Sequence, residues 1–290
     1  MKRATLLALA PALVFGLLAG CGKVDPPEIP FGKYAADYRS KPDFAQLEYQ
    51  HPLGVEDLAK ITPENLAVLD QERLDQIYAR LSAGPIPDGA FEGSIILTSG
   101  ESGKLRAGEI VGGLAGYVLH LKGIAVDKVG ENLWQGKVFY RDERVLRNRI
   151  EDLKSFEALG LVEGEPQKIK LGRKDAWLLF PAKLYCGQSL IDSRRESIII
   201  DYAFTDEIDG YQEKPDFLAG RRGLKVRDEI RMIRPGFYLG RAYMDRVFVL
   251  NFTLYNKEIA ERDSPAFMKT GTTAEDCWGG TQKRVIATAG

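Results

Sequence analysis

The sequence predicts a mainly β protein: an antiparallel barrel, closed or strongly curved, with an N-terminal helix and one helical connection. Three observations predict it. Residues 227–255, RDEIRMIRPGFYLGRAYMDRVFVLNFTLY, hold a strong turn signal at Pro235-Gly236 and a weaker one at Asp245-Arg246. Folding at both dipeptides gives three antiparallel strands. Four further runs, 90–98, 133–140, 174–180 and 197–204, read as strands, most clearly SIIIDYAF with Ile198, Ile200, Tyr202 and Phe204 alternating. No repeat period and no βαβ rhythm runs through the chain, so the strands follow one another as a meander. Closure into a barrel removes the exposed edges that such a sheet would otherwise carry.

In the three-stranded stretch, opposite residues share a face. Ile230, Met232, Phe237, Leu239, Tyr243, Phe248, Leu250, Phe252 and Leu254 then fall together. Arg227, Glu229, Arg231, Tyr238, Gly240, Asn251 and Thr253 take the other face, and a slip of one residue in either hairpin would scramble both sets. Arg241 is the odd residue on the apolar face, opposite Ile230 and Leu250, with Asp228 diagonal to it and Tyr243 opposite Asp228. A buried guanidinium keeps its charge and needs an anionic partner. Either Arg241 pairs with Asp228 or snorkels at the rim, or Arg241, Asp228 and Tyr243 hold the acidic head of a ligand whose tail lies on Leu239, Phe248 and Phe252.

Upstream of the sheet, residues 21–30 hold KVDPPEIP, a proline-rich tether that favours extended backbone. An aromatic stretch from Phe31 to Pro52 reads as a strap on the core, and 31–85 as strap plus helix. Thr62-Pro63 starts that helix as N-cap and first helical residue, and Gly84-Pro85 stops it. Leu66, Leu69, Leu74, Ile77, Tyr78 and Leu81 form its apolar stripe, which places it on the outside of the sheet. Residues 109–122 suit a glycine-weakened helix in the connection between strands. The arginines of 142–149 suit a helical turn with a solvated basic face. The barrel spans 86–256, and 257–290 reads as a polar tail.

The N-terminus carries an address. Lys2 and Arg3 precede a short apolar stretch, then Leu18-Ala19-Gly20-Cys21. That order is a secretory signal peptide over 1–20, too short for an ordinary spanning helix. The tetrapeptide resembles the lipobox of bacterial lipoproteins. The resemblance implies that Cys21 becomes the acylated first residue of the mature chain, a membrane anchor. Glycine rather than aspartate at position 22 leans towards the outer membrane, facing the periplasm.

Two cysteines remain, Cys186 and Cys277, in an oxidising compartment; they either form a disulfide or stay as separate buried thiols. The formal charge of −1 falls to about −3 once Lys2 and Arg3 are removed, which argues against nucleic acid as a partner. The glycine-rich loop at 99–108 lacks phosphate-loop spacing, and Gly112-Gly113-x-x-Gly116 lacks a dinucleotide fingerprint, so no nucleotide cofactor is implied. His51 and His120 lack the spacing of a metal site, and Ser189 lacks a nucleophile elbow. Asp201 and Asp228 could approach across neighbouring strands as an acid/base pair.

One further pattern runs through Asp88-Gly89-x-Phe91-x-Gly93, Trp134-x-Gly136-Lys137-x-Phe139, Asp228-Glu229-Ile230-Arg231 and Pro235-Gly236-x-Tyr238-Leu239-Gly240. It resembles bacterial proteins of unassigned function with a calycin-like barrel. The resemblance implies the barrel over about 86–255 and brings no catalytic residue. An inward Arg241 would be similar to the arginine that fatty-acid-binding calycins use, an analogy of architecture. The expectation is a non-catalytic lipoprotein that binds a small, largely apolar or acidic ligand or an envelope partner. The alternatives are a lipid- or ester-modifying enzyme in the same barrel and a structural envelope lipoprotein.

Overall fold

The computed structural model describes residues 24–33, 42–97, 134–158, 160–171 and 174–280. Eight antiparallel strands close into a barrel in the order β1, β9, β8, β7, β6, β5, β3, β2 and back to β1. These are β1 (Gly89–Ile96), β2 (Trp134–Tyr140), β3 (Val145–Ile150), β5 (Lys174–Gln188), β6 (Glu196–Asp201), β7 (Val226–Arg234), β8 (Phe237–Met244) and β9 (Val247–Tyr255). The pairing of β3 with β5 closes the ring, and β4 (Lys168–Leu171) lies outside it against the first half of β5. Among the described residues no helix is long and apolar enough to cross a membrane.

The barrel is filled by side chains from its inward positions. Phe91, Phe139, Leu146, Leu184, Ile198, Ile200, Ile230, Met232, Tyr238, Phe252 and Leu254 form one buried cluster. Its rings meet edge to face, Phe91 with Phe139 at 5.5 Å and with Tyr238 at 5.8 Å, and Trp134 with Phe252 at 5.6 Å. A second cluster lies on the outer wall, where Ile233, Phe237 and Leu239 pack beneath Leu66, Leu69, Leu74 and Ile77. The sheet is therefore covered on that side by the helical layer, as its apolar stripe predicts.

That layer comprises α1 (Phe44–Gln50), α2 (Val55–Lys60), α3 (Pro63–Ala67) and α4 (Gln71–Arg80). The helix expected to run unbroken from Pro63 is thus two. Asp70 is the N-cap of α4, its side chain accepting from the Arg73 amide, which explains a carboxylate inside an apolar stripe. Pro27 and Ile29 are buried and Ile29 joins the outer cluster, so the free tether is shorter than 21–30.

Other expectations need correction. The arginine-rich 142–149 forms a turn and strand β3 rather than a helical turn, since β3 has partners on both sides. Strand β5 does not stop at Pro181 but runs fifteen residues, with the proline at a bulge opposite Leu146 and Asn148. Beyond the barrel α7 (Lys257–Thr270) sets Phe267 into the barrel cluster. Two short helices, α5 (Lys154–Ala158) and α6 (Glu213–Asp216), lie in connections. The helix expected at 109–122 lies outside the described residues.

The three-stranded stretch has both turns where expected, but its register differs. Met232 pairs with Tyr238 and Arg234 with Phe237, leaving Ile233 as an extra residue. Ala242 pairs with Leu250 and Tyr243 with Phe248, leaving Val249 extra. Each bulge shifts one strand by one position and reverses which side chains share a face. Asp228, Ile230, Met232, Tyr238, Phe252 and Leu254 are inward, whereas Leu239, Arg241 and Tyr243 point out beneath the helices.

Candidate functional site

The register correction dissolves the expected cluster of Arg241, Asp228 and Tyr243. Arg241 faces Glu229 and Asn251 across the ladders, and Asp228 faces Ala242, so the sheet itself stands between Arg241 and Asp228. Arg241 and Tyr243 do meet on the outer wall, with Nε donating to the tyrosine hydroxyl at 2.9 Å. Their anion is Asp75 of α4, which accepts from Arg241 Nη1. Burial alone would depress the guanidinium, but Asp75 beside it holds its pKa above the usual arginine value. Asp201 and Asp228 do not approach either. Asp228 is opposite Ile200, and Asp201 accepts from Tyr185 on the outer face at 2.7 Å.

Helix α4 crosses four strands with one polar contact per turn or so. Asn251 of β9 donates to Gln71 at 2.7 Å, and Gln71 donates to Asp75 at 2.6 Å. Asp75 takes Arg241 of β8. Tyr78 reaches Ser197 of β6 at 3.0 Å and Glu229 of β7 at 3.5 Å. Arg231, fully buried, spends its donors on Ser197, the Tyr78 carbonyl, Asp192 and the Arg195 carbonyl. Positions 71, 75 and 78 fall on one helical face, so the arrangement is a dock for the helix. It holds no solvent-facing donor.

Inside the barrel, Lys137 of β2 is a buried cation among apolar side chains. Its Nζ donates to Asn148 at 2.8 Å, to the Tyr202 hydroxyl at 2.7 Å and to Asp228 at 2.9 Å. The rings of Trp134, Tyr202 and Phe252 each lie 5.4 Å from the nitrogen. Burial pushes the Lys137 pKa down, with Asp228 opposing, and burial followed by Asp228 pushes the Tyr202 hydroxyl up. An ammonium has three protons, and all three are spoken for. Asn148 is likewise saturated, accepting from Trp134 Nε1 at 2.9 Å and donating to Tyr202 and the Phe180 carbonyl. Sequence reasoning missed this pair. The available signal was that Lys137 and Asp228 each interrupt an inward-facing apolar series once, with opposite charge.

A cavity of about 300 Å³ opens at the end of the barrel, between α7, the start of β1 and the β7–β8 turn. Phe91, Tyr238, Ile259 and Phe267 give it an apolar floor, and Asp88, Arg141, Arg262 and Asp263 ring it. Arg262 is committed to Asp263 through two contacts of 2.8 and 2.9 Å. Arg141 is not. Its Nε donates to the Ile86 carbonyl at 2.6 Å and its amide to Asp88 at 3.2 Å, while its two terminal nitrogens have no hydrogen bond among the described residues. Burial raises the Tyr238 hydroxyl, which donates to the Pro85 carbonyl at 2.7 Å.

A disulfide joins Cys186 of β5 to Cys277, with Cα atoms 5.3 Å apart. It ties down the segment after α7; the stretch expected as a polar tail from residue 257 thus begins with a helix and is crosslinked to the barrel. Glu275 accepts from the Gly84 amide at 2.8 Å and Asp276 from the Ile86 amide at 2.7 Å. Glu196 lies with the two sulfurs within 4.8 Å, but sulfurs bonded to each other are not thiolate ligands. His51 offers its backbone carbonyl to Arg80, and Ser189 Oγ accepts from the Ile191 amide. Cys21 and His120 lie outside the described residues.

No protein-family model matches the chain, and no curated protein matches it. A solved structure described as a protein from Thermomonospora curvata is similar at 16% identity, over 70% of this chain and 97% of that one, with a TM-score of 0.35. The barrel described above rests on this chain's own strand pairings.

Proposed function

We propose that the protein is a lipoprotein of the bacterial envelope, anchored through Cys21 and facing the periplasm from the outer membrane, that binds a small acidic amphiphile without catalysis. The observation that carries the binding is Arg141, whose two terminal nitrogens have no hydrogen bond among the described residues, at a cavity lined by Phe91, Tyr238 and Phe267. Two parallel N–H groups suit a carboxylate or phosphate head, and the aromatic floor suits a short apolar tail. The volume is at the lower end of the range for ligand pockets, about 300–1,000 Å³, so the tail is short. This moves the ligand from the barrel interior, which is filled, to the barrel end. Lys137 is a structural cation of the interior, with its donors all bound to protein acceptors.

The filled interior also favours a second reading, a structural envelope lipoprotein whose barrel is a rigid body. One experiment separates them. Fluorescent medium-chain fatty acid is titrated into the detergent-solubilised mature protein and its Arg141→Gln variant, with the corresponding alcohol as control. Loss of about tenfold in acid affinity with the alcohol unchanged supports the ligand reading, since a charged hydrogen bond contributes about 1.5–3 kcal/mol. No binding to the wild type, or equal loss for acid and alcohol, leaves the structural reading.

A further inference from the structure

The strap that follows the anchor is bonded to the helical layer almost from its first described residues. Glu28 offers its carbonyl to Lys60 at 3.3 Å, and Pro30 offers its own to Arg80 at 2.9 Å. Gly32 exchanges two hydrogen bonds with Gln76, its amide donating at 2.8 Å and its carbonyl accepting at 2.9 Å. Phe31 lies under the guanidinium groups of Arg73 and Arg80, and Ile29 is buried against Leu66, Leu69 and Ile77. The backbone is therefore held between Pro27 and Gly32. Six peptide units separate Cys21 from Pro27, a reach of at most about 20 Å when fully extended.

A domain of this length has a radius of gyration of about 18 Å, hence a diameter near 45 Å. The leash is shorter than half of that. The strap and helical layer lie outside β7, β8 and β9, whereas β4 hangs from β5 on the other side of the ring. A leash of that reach cannot pass round the body to present β4 to the surface from which it starts.

We propose that the face carrying the strap, α2 and α3 lies against the phospholipid bilayer that holds Cys21, with β4 turned away; this rests on the lipid anchor of the preceding section. Val24, Val68 and Leu97 are about half exposed on this side, Val68 two residues beyond the buried Leu66 and Leu97 one beyond the buried Ile96, both in the cluster that receives Ile29. Lys33, Lys60 and Arg73 are exposed beside the strap, but exposed Asp25, Glu28, Glu56 and Glu64 alternate with them, so the length of the leash and not charge sets the orientation.

The test uses the full lipidated protein in vesicles of phosphatidylethanolamine and phosphatidylglycerol containing a headgroup-level spin-labelled lipid. A fluorophore is attached to Val68→Cys or, as the far reference, to Lys170→Cys, with the Cys186–Cys277 bond left oxidised. Quenching at position 68 exceeds that at 170 by about threefold or more if the leash holds the strap face down. Inserting about twenty Gly and Ser residues after Asp25 adds an average span of about 25 Å and brings the two values together. Equal quenching in the unextended protein overturns the orientation while leaving the anchor standing. A mature protein without acyl chains by mass spectrometry, or a Cys21→Ser variant that still floats with vesicles, overturns the anchor and the orientation with it.

Discussion

Asp75 of α4 bonds Arg241 of β8 on the outer wall of the barrel, and both are fully buried. The pair has the Gln71 amide on the same carboxylate oxygen and the Tyr243 hydroxyl on the guanidinium Nε. The Phe248 ring lies 4.4 Å from the guanidinium carbon. The pair decides where the helical layer sits, because sliding α4 by one turn would strand both charges away from water.

Removing one partner therefore costs more than removing both. Arg241→Met alone is expected to lose about 3–5 kcal/mol in urea unfolding, since Asp75 stays buried without its cation. Asp75→Leu combined with Arg241→Met is expected to recover a large part of that loss. Additive losses in the double variant would show that the two groups act independently.

Much of the fold is legible in the sequence, and what is not has two physical origins, unmarked bulges and partners distant in the chain. Turn dipeptides announce themselves through Pro235-Gly236 and Asp245-Arg246, and both turns are real. Bulges do not: Ile233 and Val249 are ordinary β-branched strand residues, and nothing in their chemistry marks them as extra. Because strand periodicity is two, each unmarked residue inverted the faces on one side of it. Arg241 is buried and has the anion that its charge requires. Its partner lay 166 residues away on a helix, beyond the reach of any local spacing. The cavity was illegible for the same reason, since Arg141 and Phe267 meet only through the closure of the ring and the return of α7.

Asp192 gives the molecule an acid limit. Burial favours its protonated form, but the guanidinium groups of Arg194 and Arg231 outweigh that and hold its carboxyl below 3.8. A depressed native value means that the unfolded chain binds the proton first. The stabilisation is full above the unfolded value, near 3.8, and is lost as pH falls through the native one. Asp192→Asn is expected to be less stable than wild type at pH 7 and to narrow that gap towards pH 3. A constant gap across that range, by urea midpoints, would remove Asp192 from the acid limb.

The Cys186–Cys277 bond closes a separation of 91 residues. The chain-entropy account gives such a closure about 4.5 kcal/mol at most. Its structural effect is local, because Glu275 and Asp276 then hold the amides of Gly84 and Ile86 at the start of the barrel. Replacing both cysteines by serine is expected to lower the unfolding free energy and to speed hydrogen exchange at those two amides ahead of the barrel strands. Uniform exchange across the chain would mean that the bond stabilises only the whole.

Lys137 separates a structural lysine from a catalytic one. Its side chain is 3% exposed, and burial lowers its pKa below 10.5. A lysine so depressed is a frequent mark of an active site, yet this one has no free proton and no lone pair turned towards a cavity. Folding disfavours its charged form, so as pH rises through the native value the native state sheds the proton before the unfolded chain does, and this group's contribution to stability increases. Lys137→Met is expected to abolish that alkaline increment and to cost about 3–5 kcal/mol at pH 7, because Asp228 is left buried beside Tyr202 without a cation. Adding Asp228→Leu is expected to restore most of the stability and leave binding at the Arg141 cavity unchanged. Restored stability with binding lost would make the interior pair part of the ligand site, and the barrel more than a support for its end.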